Sequence, residues 1–133
     1  MSSTLKDFFP DKLEKRDERE CKLSARLPTF RIRAVDEEQA ARIRAGAMRK
    51  GAHKGIAYRE IDAEANMLGL VIACVVAPDL QNAELQAAWG VMGAESLVRK
   101  MLLPGEYAAL SQEVSAICGF DEDMEALVDQ AKN

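Results

Sequence analysis

Asp62-Ala-Glu-Ala-Asn-Met-Leu-Gly-Leu-Val-Ile-Ala-Cys-Val-Val-Ala77, followed by Pro78, is the most apolar stretch of the chain, and its reading decides the fold class. Its β-branched residues Val71, Ile72, Val75 and Val76 suit a strand, but its unbroken length exceeds that of usual strands. The stretch therefore predicts a buried helix over 62–77. Asp62 is placed to cap its first turn, and Pro78 forces its end, because proline disfavours helical geometry in the residue before it. The continuous apolar run, Met67 to Ala77, falls well short of the roughly 20 residues that cross a bilayer, so it reads as a core element.

Downstream, caps and breakers divide the chain into short helices: Asn82 to Trp89 ended by Gly90, Ala94 to Leu102, Pro104 to Cys118 ended by Gly119, and Asp121 to Ala131. Pro104 suits a first helical position, and Glu106 lies in the first turn, where the helix dipole favours negative charge. Upstream, Asp36 stands three residues before Gln39 in a capping-box arrangement, which predicts a helix from about 37 to 50. Gly51 stops it, and the stretch through Gly55, with His53, reads as a loop. Cys21 to Ala25 and Thr29 to Ala34 alternate apolar and polar around Pro28, a period of two that suits a short β-hairpin near residues 21–35. Residues 1–20 read as a charged arm; Asp11 to Lys22 alternates sign with little apolar surface beyond Leu13 and Cys21, which suits an exposed helix or a mobile arm.

At 133 residues the chain suits one domain, able to bury roughly two-thirds of its unfolded surface without disulfide or metal. Few aromatics and abundant Ala, Leu, Glu and Lys point to a mainly α fold: one small domain over 21–133, of five or six helices plus the hairpin. No secretory signal is evident, and the scattered Cys21, Cys74 and Cys118 suit free thiols in a reducing cytoplasm. Charge is uneven. Residues 1–25 balance, 26–59 carry nine bases against three acids, and 60–133 carry three bases against thirteen acids. Such asymmetry suits either solvated helix faces, an anionic partner, or copies attracting one another head to tail.

Chemistry has few candidates. His53 is the one imidazole and sits among Lys50, Gly51, Lys54 and Gly55 with no thiol near it in sequence, so it reads as a surface residue rather than a catalytic base. Three scattered cysteines and one histidine lack metal-ligand spacing, and the acidic Asp121–Glu125 group lacks the alternation and central glycine of a calcium loop. No phosphate loop or catalytic carboxylate pair is evident; no catalytic residue, cofactor or metal is expected. The Pro-Gly turn at 104–105 resembles that of a helix-turn-helix, but the second helix offers Glu106 and Glu113 and no cation to meet phosphates.

Val75-Val-Ala-Pro-Asp-Leu-Gln-Asn-Ala-Glu-Leu-Gln-Ala-Ala-Trp-Gly-Val-Met-Gly-Ala-Glu95, then Leu102-Leu-Pro-Gly-Glu-Tyr-Ala-Ala-Leu110, Gly119-Phe120 and the final Ala-Lys-Asn, resemble the tail assembly chaperones of phages and prophages of Gram-positive bacteria. Phe30-Arg-Ile-Arg-Ala-Val35 and the helix after it fall in matching order, so the resemblance runs from about residue 20 onward. It implies a small, mostly helical, non-catalytic protein that holds the tape measure protein soluble while tail tube subunits polymerise, and that is absent from the finished virion. Both proteins are then expected partners, with no nucleic acid and no membrane. Such chaperones are often made in two lengths by a programmed frameshift, and Ala131-Lys132-Asn133 can be encoded GCA AAA AAC, which contains a slippery heptamer.

The arm of residues 1–20 has no counterpart in that resemblance, and no residue is assigned to a client by it. On physical grounds the interface candidates are the apolar Trp89, Val91, Met92 and Tyr107, with a basic belt at Arg42, Arg44, Arg49 and Lys50. Many copies would be needed to cover a long client, so self-association is expected. The rival readings are a regulatory or adaptor protein that binds nucleic acid or a partner helix through 26–59, and a structural tail protein retained in the particle.

Overall fold

The computed structural model describes residues 3–13 and 18–120. Its helices are α1 (Glu37–Gly46), α2 (Ala63–Cys74), α3 (Ala83–Ala88), α4 (Ala94–Met101) and α5 (Pro104–Ser115). Three of them begin where the sequence supplies an acceptor. Asp36 takes the Gln39 N–H at 2.9 Å, Asp62 the Ala65 N–H at 3.2 Å and Asn82 the Leu85 N–H at 2.9 Å. Each bond satisfies a donor that the helix itself leaves open, worth about 1 kcal/mol. Pro104 opens α5 as expected, and a wider turn, Ala116–Phe120, closes it at Gly119, whose φ of +99° suits glycine.

The domain is mixed α/β rather than mainly α. Strands β1 (Glu18–Cys21), β2 (Phe30–Arg33) and β5 (Val75–Ala77) form an antiparallel sheet in the order β1-β2-β5, while β3 (Met48–His53) and β4 (Ile56–Ile61) form a separate hairpin. The expected pairing near 21–35 exists, but its first strand lies upstream, in the charge-alternating stretch read as arm or exposed helix. There Glu18 faces Arg33 and Cys21 faces Phe30. Only Cys21 of β1 is buried, which is why the stretch looks unanchored in sequence. Residues 3–13 make two single 3₁₀ turns, Leu5–Phe8 and Pro10–Lys12, with no buried residue.

Two further expectations are corrected. The apolar helix ends at Cys74, and Val75–Ala77 becomes extended, pairing Val75 with Ile32 and Ala77 with Arg31. The open edge of β2 gives these residues ladder bonds, and two of them are β-branched, so pairing wins over one more helical turn. Helix α1 stops at Gly46 rather than near 50, and the expected loop at 51–55 is the middle of the β3–β4 hairpin. Lys54 and Gly55 both have positive φ, the geometry of a type I′ turn, which matches the twist of the strands it joins. His53 thus ends a strand, exposed and opposite Ile56. The helix expected over 121–131 lies outside the described residues.

The core gathers where β2 meets α2, α4 and α5. Ile32, Val71, Cys74, Leu97, Val98, Leu110 and Val114 are fully buried. Helix α1 joins through a close approach: a Cβ on Gly69 of α2 would fall 2.6 Å from Ile43 Cγ2. That contact requires glycine. The β3–β4 hairpin stands outside this core, with Met48, Ile56, Tyr58 and Ile61 exposed. Its own packing is local: the Tyr58 ring lies over Gly51, where a Cβ would sit 2.2 Å from the ring.

Candidate functional site

An apolar groove of about 800 Å³ lies where three helices converge. The first turns of α2 supply Glu64, Met67 and Leu68, spaced three and four residues apart so that they share one face. The end of α4 gives Val98 and Arg99, and Leu102, Pro104 and Tyr107 complete the floor and far wall. Glu64 and Arg99 are exposed, so the apolar floor has charges of both signs at its rim.

One wall of the groove is braced by a buried carboxylate. Glu106 is only 4% exposed, yet it is fully partnered. Its Oε2 accepts from Ser24 Oγ at 2.5 Å and Arg26 Nε at 2.8 Å; its Oε1 accepts from Arg26 Nη2 at 2.5 Å and the Leu103 N–H at 2.7 Å. Arg26 Nη2 also donates to the Met101 carbonyl at 2.7 Å. The bidentate arginine is the main reason the carboxyl is held at a pKa of about 2, with the Ser24 and Leu103 donors adding to it against the opposing effect of burial. The arrangement pins the β1–β2 connection to the α4–α5 corner, and hence fixes Pro104 and Tyr107. Every partner of the carboxylate, the Ser24 hydroxyl included, is a donor that holds it in place.

The sequence candidates are dispersed. Tyr107 lines the groove. Trp89 caps the end of α3 and is 37% exposed, Val91 packs against the core, and Met92 projects at 90% exposure beside a smaller pocket that includes Ile72 and Glu95. The basic belt is largely neutralised: Arg42 pairs with Glu38 at 3.4 Å, Arg44 with Glu37, and Arg49 with Glu60 at 2.7 Å. Lys50 lies opposite Arg59 in the hairpin. Neither the belt nor the Trp89 corner joins Tyr107 in one site.

Sequence reasoning missed Met67, Glu64 and Arg99 as groove residues, and the Arg26–Glu106 pair. The face shared by Glu64, Met67 and Leu68 was legible as helical spacing; the pairing of residues 80 positions apart was not. The cysteines are free, as expected. Cys74 and Cys118 sit with their sulfurs 3.6 Å apart, and burial, with the neighbouring Cys118 thiol, pushes the Cys74 thiol up to about 12. Among the described residues there is no grouping of side chains fit to hold a metal, and no helix long and apolar enough to cross a membrane.

Comparison with solved structures places this fold beside the B. subtilis prophage protein YqbN, whose crystal structure superposes with a TM-score of 0.73 at 19% identity, covering 91% of this chain and all of that one. Among curated proteins none matches the chain significantly in sequence. The family model described as "Phage XkdN-like tail assembly chaperone protein, TAC" matches residues 5–132, nearly the whole chain. That family is non-catalytic, in keeping with a site made of an apolar groove and a structural ion pair. With the family model spanning both sheets and all five helices, this chain belongs to the XkdN-like phage tail assembly chaperones.

Proposed function

We propose that this chaperone keeps the tape measure protein of its phage soluble by seating apolar turns of that long helical client in the α2–α4–α5 groove. The observation that carries this reading is the groove itself: an apolar floor of Met67, Leu68, Val98, Leu102 and Tyr107, open at the surface, with Glu64 and Arg99 at its rim. Its volume is within the few hundred to 1,000 Å³ typical of ligand sites. An amphipathic helix presents apolar side chains at three- and four-residue spacing, which is what such a groove accepts. The chaperone works in the host cytoplasm, in several copies along one client, meets tail tube subunits as they displace it, and is absent from the finished virion. A second, frameshifted form would add client contacts beyond residue 133.

The rival reading, nucleic-acid binding through 26–59, is weakened by the carboxylates that already pair Arg42, Arg44 and Arg49. The test is co-expression with the tape measure protein in a bacterial host. The full chain should move the client to the supernatant and co-purify with it, with little change between 50 mM and 500 mM salt. Tyr107→Asp should reduce the captured client at least tenfold, while Arg42→Glu should not. Capture that collapses with moderate salt, or survives Tyr107→Asp and falls with Arg42→Glu, would overturn the reading.

A further inference from the structure

Two apolar features of the chain lack a partner in the structure, and they lie within reach of one another. The first is the N-terminal arm, where Leu5, Phe8, Phe9 and Leu13 crowd four large apolar side chains into nine residues, each about half or more exposed. Aromatic residues are enriched among those that anchor interfaces, and solvating Phe8 and Phe9 on these 3₁₀ turns leaves their burial energy unused. The second is the groove, none of whose walls the arm fills.

In sequence only residues 14–17 separate the arm from β1, and β1 lies against α5. Arg19 of β1 donates to the Glu113 carbonyl at 3.2 Å and pairs with its carboxylate at 3.5 Å, so β1 begins beside the last turns of α5. Tyr107 lies six residues back along the same helix, about 9 Å at 1.5 Å per residue. From Glu18 to Leu13 the chain can span up to roughly 17 Å, and Phe8 and Phe9 follow within a few residues. The arm's Lys6 and Asp7 adjoin its aromatics, matching the Glu64 and Arg99 rim in both signs.

We infer that the N-terminal arm is a resident ligand of the groove, docking in cis with Phe8 and Phe9 as anchors, so that the structure shows the open form and the arm must leave before another apolar helix can enter. The docking itself does not depend on what the client is. Only the competition rests on the proposed function, where a tethered arm lowers the client's apparent affinity by the fraction of chains that are open.

The test uses a fluorescein-labelled peptide of residues 3–13, followed by anisotropy on full-length chains. Wild type should bind it weakly, because the tethered arm competes at an effective concentration in the millimolar range. The F8S/F9S chain, whose own arm is disabled, should bind it at least tenfold more tightly. Adding Tyr107→Asp or Arg99→Glu to F8S/F9S should remove most of that binding; Arg99 is exposed, so its replacement leaves the core intact. Absence of peptide binding to F8S/F9S, equal binding to wild type, or indifference to both groove substitutions would overturn the inference. Sedimentation showing wild type as a dimer and F8S/F9S as a monomer would also overturn it, assigning the groove to a second copy's arm. Client capture that persists while the peptide fails to bind would leave the proposed function standing and remove this inference alone.

Discussion

Replacing Gly69 with alanine pits two effects of opposite sign against each other at the α1–α2 contact. In an open helix interior the change would stabilise by about 1 kcal/mol, because glycine carries the larger conformational entropy. Here the new methyl would fall 2.6 Å from Ile43 Cγ2, an atom on a β-branched side chain with little rotamer freedom. Overpacking of this kind costs about 1–3 kcal/mol, so Gly69→Ala should destabilise by about 1 kcal/mol net. Ile43→Ala alone, at a half-buried position, should cost about 2 kcal/mol. In the Ile43→Ala background the obstructing methyl is gone, and Gly69→Ala should now stabilise by about 1 kcal/mol. The four chains form a double-mutant cycle with a coupling of about 2 kcal/mol, read from urea midpoints at constant m-value. A Gly69→Ala that stabilises the wild-type chain, or effects that add within about 0.5 kcal/mol, would show that the helices do not meet this closely.

Three other outcomes follow from the described contacts. Glu106 has a folded pKa of about 2 against an ordinary 4.5, so its contribution to stability is complete above pH 4.5 and is lost as pH falls toward 2. Urea midpoints from pH 6 down to 2 should therefore fall more steeply for wild type than for Glu106→Gln, and parallel curves would contradict the buried pair. Cys74, at about 12, is roughly one part in ten thousand thiolate at pH 8, so iodoacetamide mapped by peptide mass should leave it unlabelled in the native chain and label it in urea. Tyr58→Ala removes the ring over Gly51, and amide exchange across 48–61 should accelerate at least tenfold while the urea midpoint barely moves; a large midpoint loss would mean the hairpin is part of the core.

What the sequence disclosed follows from the range of the forces involved. Asp36, Asp62 and Asn82 act within three residues, so their helix starts are legible, and Pro104 announces α5 by its own ring geometry. The tail assembly resemblance likewise rests on local motifs, and the family match bears it out. Strands β1 and β5 depend on β2, which lies up to 46 residues away in the register, and neither carries a clean alternation of its own. The β3–β4 hairpin escaped because no face of it is buried, so hydrophobic patterning had nothing to record. Its remaining mark was a glycine after Lys54, a weaker turn signal than Asn-Gly. In the site, Tyr107 was found as an apolar residue on a helix face. The groove around it was not, because its walls come from helices that only tertiary packing brings together.

The exposed hairpin also makes the Lys54-Gly55 turn a place to house foreign sequence. A loop that projects from the body and buries none of its residues in the core tolerates insertion, since the ends of the guest are already held close and no core side chain must move. A fluorescent domain or affinity epitope placed between Lys54 and Gly55 would leave both termini and the groove untouched. Assembly of a phage tail could then be watched in living cells through a chaperone labelled at an exposed turn.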